Sequence, residues 1–335
     1  MAAQFVTLGM FIIDEFEFMD SDGHPTGRVL APQIGGGGTY AAVGARIWLP
    51  SNKIGMVIDR GYDFPATVEK QLLNYGHDMW MFRDQPHYKT TRALNSYRGE
   101  HRNFEYMTPR IRITPRDIMG TKLSNPTSLH FICSPSRASD IMSEVREVDG
   151  WFPITIYEPI PYRCVPDELP ALKQVLSSIS ILSPNAEEAL SLLSLPLPPT
   201  KESVEKSARM FLEFGVGVAG TGSVVIRSGD MGAYVKSRSR DGVWIDAFWA
   251  DKDAEKVVDV TGAGNSFLGG LGAGLALTHG DVYEAVFYAS VSASFIIEQE
   301  GLPRFSQSTD DGDTSTWNGD SPQRRLDELR KQHGK

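Results

Sequence analysis

The stretch that decides the fold is Asp259–Gly270, DVTGAGNSFLGG. Three valines in Val257–Val260 lead directly into Gly-Ala-Gly, which predicts a strand there. After Asn265 comes an apolar, small-residue run, Ser266–Thr278, which predicts a buried helix. Strand, glycine turn and helix N-terminus together make an anion site. The first backbone N–H groups of a helix have no partner inside it, and the helix dipole adds partial positive charge at that end. Gly262 and Gly264 carry no Cβ, so an anion can approach the main chain around Ala263. The polar residue at the tip, Asn265, is an amide.

Two lookalikes fail on spacing. A Walker A loop needs Lys after its last glycine, and Gly270 stands there. A dinucleotide fingerprint needs a third glycine where Phe267 stands. A plain tight turn accounts for Gly-Ala-Gly alone, but not for its flanking Asp259 and Thr261.

Further motifs occur along the chain. Asp14 follows Gly9 by five residues at the end of the first apolar run, Phe5–Ile13, placed either to accept hydrogen bonds or to cap a turn. Gly35 and Gly36 precede Thr39-Tyr40-Ala41-Ala42, where a ligand can meet the backbone and Tyr40 can stack on or hydrogen-bond a ring. Ser183-Pro184-Asn185-Ala186-Glu187-Glu188 has the form of a capping box, and equally of a polar pair facing a ligand. Val224–Gly232, VVIRSGDMG, carries Gly229 and Gly232 behind Arg227, whose guanidinium can hold a phosphate bidentately; an ordinary hairpin turn suits the same residues.

In this order, the motifs resemble those of the PfkB (ribokinase-like) carbohydrate kinases. DVTGAGN matches that family's D-x-T-G-A-G-D at every fixed position except the last, where Asn265 replaces the acid that serves the family as general base. Tyr40 likewise stands at the place of an Asn in the first family signature. Tyr157-Glu158-Pro159, with Pro161 and Cys164, resembles the fungal "maintenance of killer" PfkB-like subgroup. The resemblance implies an α/β fold, a ribokinase-like three-layer doubly wound, mainly parallel sheet with a small β lid built from two inserted hairpins. It implies a kinase domain over 1–305, with lid segments at about 15–34 and 88–108. It implies ATP and Mg²⁺, with a sugar or nucleoside as acceptor. Asp14, Gly35, Gly36 and Tyr40 would face the acceptor, and Gly262, Ala263, Gly264 and Asn265 would form the catalytic anion hole. Asn185, Arg227, Gly229, Gly232, Asp259 and Thr261 would face the nucleotide, and Glu188 the water shell of Mg²⁺. Asp259 would also help organise a monovalent cation, K⁺. Lids of this family often pair into homodimers, and these hairpins are long enough to do so.

Asn265 cannot accept a proton at neutral pH, although its carbonyl oxygen can orient a hydroxyl. Two functions therefore stand open. One is a kinase that is slow or differently assisted; the other is a pseudokinase that binds nucleotide or metabolite and acts as a regulator or scaffold. A third reading has Asp14 or another carboxylate reach the acceptor and serve as base.

The composition agrees with an ordinary globular chain. It has 335 residues, 41% apolar and 22% charged, with a formal charge of −9, which argues against nucleic-acid binding as a general function. Cys133 and Cys164 form no metal-like spacing, and the seven histidines are scattered. No run reaches the roughly 18 apolar residues of a membrane span. MAAQFVTLGMFIIDEF lacks a basic leader, so the expected location is cytoplasmic, or nuclear. Alternation of strand and helix patterns predicts βαβ units. Glu15–Phe18 with Arg28–Ala31 reads as one hairpin, and Thr90–Tyr97 with His101–Met107 as a second. Ser, Thr, Asp and Gly dominate 306–321, so 306–335 is expected to be a polar, disordered tail, with any helix over Arg324–Lys331 solvated.

Overall fold

Apolar β-formers followed by helical stretches build βα units from the start of the chain. The computed structural model describes residues 3–98, 101–249, 251–307 and 315–335. In chain order the strands of its first half are β1 (Phe5–Thr7), β2 (Ile12–Met19), β3 (Gln33–Gly35), β4 (Ile54–Gly61), β5 (Trp80–Gln85), β6 (Arg92–Arg98) and β7 (His101–Tyr106). There follow β8 (Ser128–Cys133), β9 (Ile154–Pro159), β10 (Ile181–Leu182), β11 (Ser223–Arg227), β12 (Ala233–Ser237), β13 (Val243–Ile245), β14 (Phe305–Gln307) and β15 (Ser315–Trp317). The helices are α1 (Gly37–Arg46), α2 (Ala66–Leu73), α3 (Pro115–Ile118), α4 (Pro135–Arg146), α5 (Leu169–Leu176), α6 (Ala186–Leu192), α7 (Lys201–Phe214), α8 (Ala263–Leu277), α9 (Val282–Ile296) and α10 (Pro322–Gln332).

Nine strands form the central sheet, in the order β13-β12-β11-β10-β9-β8-β1-β4-β5. The ladder from β5 to β11 is parallel; β12 and β13 close one edge antiparallel. Parallel strands must be covered on both faces. One face packs against a core fed by α1, α2, α8, α9 and α10, the other against a core fed by α3 to α7. The strand order reverses direction at β1 and β8, which opens a crevice at the carboxyl ends of the strands. Over it lies a four-stranded lid, ordered β3-β2-β6-β7. This is the doubly wound, mainly parallel fold with a β lid that the sequence predicts.

Local boundaries differ from the sequence pattern in three places. The first apolar run is not one strand. Gly9 donates to Thr7 Oγ1 at 3.0 Å, and a Cβ there would come 2.6 Å from the Gly38 backbone, so the chain turns after β1 and Asp14 falls on lid strand β2. β2 pairs with β3 on one side and β6 on the other, and Arg28–Ala31 is coil. Val257–Val260 forms no strand: its valines are exposed, and Val258 and Asp259 both donate to the Ile297 carbonyl.

The expectation of a disordered 306–335 also fails over 315–335; residues 308–314 lie outside the described set. Leu326 and Leu329 are fully buried on one face of α10, and Trp317 stacks on Tyr75 at 5.9 Å. Arg325, also buried, donates to Glu298 at 2.6 Å, Asp320 at 2.7 Å and Ser294 at 2.9 Å. Leucines three residues apart, hidden among charges, dock the helix against α9. Leu329→Ala should therefore cost about 2–4 kcal/mol in urea unfolding, as for other buried leucines, whereas Lys331→Ala should cost under about 0.5 kcal/mol. Equal, negligible effects would mean that α10 is a solvated appendage.

Candidate active site

The N-terminus of α8 is the fixed point of the crevice. Gly262 adopts φ 79°, turning the chain into α8, Ala263 N–H donates back to the Val260 carbonyl at 3.2 Å, and the ring of Tyr40 packs where a Cβ on Gly262 would stand. Asn265 is the third residue of α8, within the turn whose N–H groups lack helical partners. Thr261 N–H is satisfied by Asp259 Oδ1 at 2.9 Å, which shapes the approach to the turn.

This turn opens into a cavity of about 630 Å³ at the carboxyl ends of β8, β9 and β11. Of the sequence-predicted site residues, Asp14, Gly36, Tyr40, Asn185, Glu188, Arg227, Thr261, Gly262, Gly264 and Asn265 line it. Ala263 is inside the same turn. Gly35 lies beneath Asp14, where a Cβ would overlap the carboxylate. Gly229 and Gly232 do not line the cavity; they shape the turn after β11, where Gly232 meets the Ile245 carbonyl. Asp259 stands outside the lining as the acceptor for Thr261.

Behind Asn265 lies a charged cluster whose key member, Glu158, has no assigned role in the sequence motifs. Asn265 Nδ2 donates to Glu158 Oε2 at 2.8 Å. Arg227 Nη1 lies 2.8 Å from Glu158 Oε1, and its Nη2 lies 3.4 Å from Glu188 Oε2. His130, fully buried and bonded to Thr7 Oγ1 at 2.9 Å, stands 3.6 Å from Glu158. Arg227 is thus not a spare phosphate fork: its guanidinium joins two carboxylates, and Nη2 also donates to the Ser183 carbonyl at 3.2 Å. The sequence signal for Glu158 is its position, an acid closing an apolar parallel strand at the ligand end of the sheet.

The two acids respond in opposite directions. Burial works against ionised Glu158, but Arg227, with His130 and Asn265, outweighs it and holds the carboxyl below its ordinary range. Burial pushes Glu188 up to about 7, against the pull of Arg227 and with the repulsion of Glu158 added. Asn185 and Glu188 form the capping box of α6: Asn185 N–H donates to Glu188 Oε2, and Glu188 N–H to Asn185 Oδ1, both at 2.7 Å. Capping and lining the cavity are compatible, and this pair does both. Among the described residues no three His, Cys, Asp or Glu side chains converge to hold a metal ion directly. Glu188 alone suits the outer, water-mediated contact that Mg²⁺ accepts when phosphates supply its inner ligands.

A family model, "pfkB family carbohydrate kinase", matches residues 154–309. An uncharacterized protein of Schizosaccharomyces pombe is 34% identical over 97% of this chain and 92% of its own length. Protein MAK32 of Saccharomyces cerevisiae is 35% identical over 94% of this chain and 88% of its own length. The chain belongs to the PfkB carbohydrate-kinase family. Within it, the match to Protein MAK32 agrees with the fungal subgroup that the Tyr157–Cys164 pattern resembles. Solved structures share the fold. Arabidopsis thaliana ribokinase complexed with ribose and ATP superposes with a TM-score of 0.66, at 17% identity, over 90% of this chain and 95% of its own. A putative ribokinase II from E. coli in complex with ATP and Mg²⁺ superposes with a TM-score of 0.65, at 17% identity, over 99% of this chain and 100% of its own.

The raised pKa of Glu188 makes a pH prediction. Its folded value exceeds the ordinary 4.5, so the stability linked to its bound proton is fully present below that value and is lost as pH rises through about 7. The Tm of the unaltered protein should fall relative to that of Glu188→Gln between pH 5 and 8, by the equivalent of at most about 3 kcal/mol. Parallel Tm curves across that window would show that Glu188 titrates as an exposed acid does.

Proposed function

We propose that the protein transfers the γ-phosphoryl group of ATP to a hydroxyl of a small, sugar-like or nucleoside-like acceptor. The observation that carries this reading is one cavity shared by the N-terminal turn of α8, the carboxylate of Asp14 and the Asn185–Glu188 pair. The N–H groups of Gly264 and Asn265 would take the charge that develops on the transferred group, aided by the helix dipole; that of Ala263 is held by the Val260 carbonyl. Asp14 would accept hydrogen bonds from acceptor hydroxyls. Glu188 would hold the water shell of Mg²⁺, which would supply positive charge against the phosphates of ATP. A monovalent cation beside the Asp259 loop belongs to the same proposal.

Asn265 sets the rate. An ionised carboxylate only accepts hydrogen bonds, so the amide must turn its NH₂ toward Glu158, which leaves the carbonyl oxygen to orient the acceptor hydroxyl. Glu158 is a weak base because Arg227 stabilises its charge. Phosphoryl transfer depends mostly on positioning and charge stabilisation, so lack of a base slows it, by about 10²–10⁴-fold, and does not forbid it. The same observation supports a second reading, a pseudokinase that binds nucleotide or metabolite without turnover.

ATP consumption with Mg²⁺ across sugars, nucleosides and their phosphates, beside thermal shifts with ATP, separates the two. The kinase reading predicts ADP formation that depends on one acceptor class. ATP-dependent stabilisation with no turnover on any acceptor would favour the pseudokinase, and neither stabilisation nor turnover would contradict both.

A further inference from the structure

Glu298, just past the end of α9, does not line the active-site cavity, yet it collects three donors. Its Oε1 accepts from Arg325 Nη2 at 2.6 Å and from Trp249 Nε1 at 3.0 Å, and its Oε2 accepts from Asn318 Nδ2 at 2.7 Å. These donors come from distant parts of the chain. Trp249 stands ahead of the anion turn, Asn318 follows β15, and Arg325 is on α10. Arg325 joins them. Only 3% exposed, it also bonds Asp320 and Ser294, and its Cζ lies 3.7 Å from the centre of the Phe295 ring and 5.0 Å from that of Trp249. A guanidinium donates in its plane and stacks on its faces at the same time, so one side chain ties α9, α10 and Trp249 together.

The end of α9 fixed in this way also holds the approach to the anion turn. The Ile297 carbonyl, next to Glu298, accepts from Val258 N–H at 2.7 Å and from Asp259 N–H at 3.2 Å. Asp259 Oδ1 then accepts from Thr261 N–H at 2.9 Å, one residue before Gly262. Val258 is 59% exposed and Val260 67%, so burial of apolar surface contributes little to placing this stretch. Its hydrogen bonds to Ile297 carry that task. From Arg325 to Gly262 the connection is therefore continuous: guanidinium to Glu298, the adjoining Ile297 carbonyl to Val258 and Asp259, and Asp259 to Thr261.

We propose that Arg325 is a positioning residue for the anion turn. By fixing the end of α9 against α10 and Trp249, it sets where the Gly264 and Asn265 N–H groups stand, and so how tightly the turn holds a phosphoryl group. The second effect rests on the phosphoryl-transfer reading; the first does not. The C-terminal helix thereby acts on the site without touching the ligand, and loosening it lowers nucleotide affinity while every group facing the cavity stays the same.

Hydrogen exchange of the unliganded protein tests the positioning, and MgATP calorimetry tests its effect on the site. Amides over 258–265 should exchange about ten-fold faster in Arg325→Met than in the unaltered chain, and Arg325→Met should bind MgATP about ten-fold more weakly. Arg325→Lys keeps the charge without the planar fork and should fall between the two. Leu176→Ala opens the core on the opposite face of the sheet; it should lower Tm and leave both readings unchanged, because local opening need not follow global stability. Trp249→Phe loses one bond to Glu298 and keeps a ring, so it should speed the same exchange by less, and it carries the test if Arg325→Met does not fold. Exchange at the native rate in these variants, acceleration that Leu176→Ala matches, or faster exchange with unaltered MgATP affinity would each overturn the proposal. Faster exchange in the Arg325 variants of a protein that binds no MgATP at all would sustain the positioning and remove the nucleotide reading. MgATP turnover in an Arg325→Met chain with native exchange would do the reverse.

Discussion

The site depends on one buried guanidinium. Arg227 enters from the end of β11 and joins Glu158, at the end of β9, to Glu188, in the first turn of α6. Without it, two carboxylates would share a nearly water-free pocket, an arrangement that would force a proton onto one of them. With it, Glu158 keeps its charge, the rise that burial and Glu158 impose on Glu188 is held to about 7, and the C-terminal ends of the strands are tied to α6. Asn265 completes this balance. An aspartate in its place would bring a third carboxylate to within a hydrogen bond of Glu158. The amide in the anion loop is therefore matched to its surroundings, and the loss of the acid at position 265 cannot be judged apart from Glu158.

A second constraint holds the loop in place. Helix α8 packs against α1 and α9 through glycines: a Cβ on Gly269 would overlap the Ala41 carbonyl, and one on Gly270 would overlap the Ser292 hydroxyl. Close backbone packing fixes the direction of the helix, and with it the direction of its N–H groups and dipole. Gly264 meets Arg227 in the same manner, so the charged cluster and the anion loop are in direct contact. Packing, electrostatics and the candidate chemistry are linked at this point.

Much of this was legible in the sequence, for physical reasons. Glycines that must sit against a neighbouring backbone, as in Gly262-Ala263-Gly264, leave a fixed local signature, and so does the capping box Asn185–Glu188. Alternating apolar runs disclosed the parallel sheet. What local pattern could not disclose was partnership across distance. Arg227 reads equally well as a phosphate fork or as an ion-pair link, and only the approach of β9 decides between them. Val257–Val260 has strand composition but no neighbouring strand, so its valines face solvent. The C-terminal segment looked polar because the few residues that anchor it, Trp317, Leu326 and Leu329, are outnumbered by charges on the exposed face of α10.

The central claim, that Asn265 and Glu158 form one electrostatic unit, is tested most directly by a double-mutant cycle on stability. Asn265→Asp, Glu158→Gln and the pair together would be unfolded in urea at pH 7. The account predicts that Asn265→Asp alone costs about 1–3 kcal/mol, and that Glu158→Gln in the same chain recovers much of that loss, giving a coupling well above about 0.5 kcal/mol. Simple additivity of the two substitutions would contradict it.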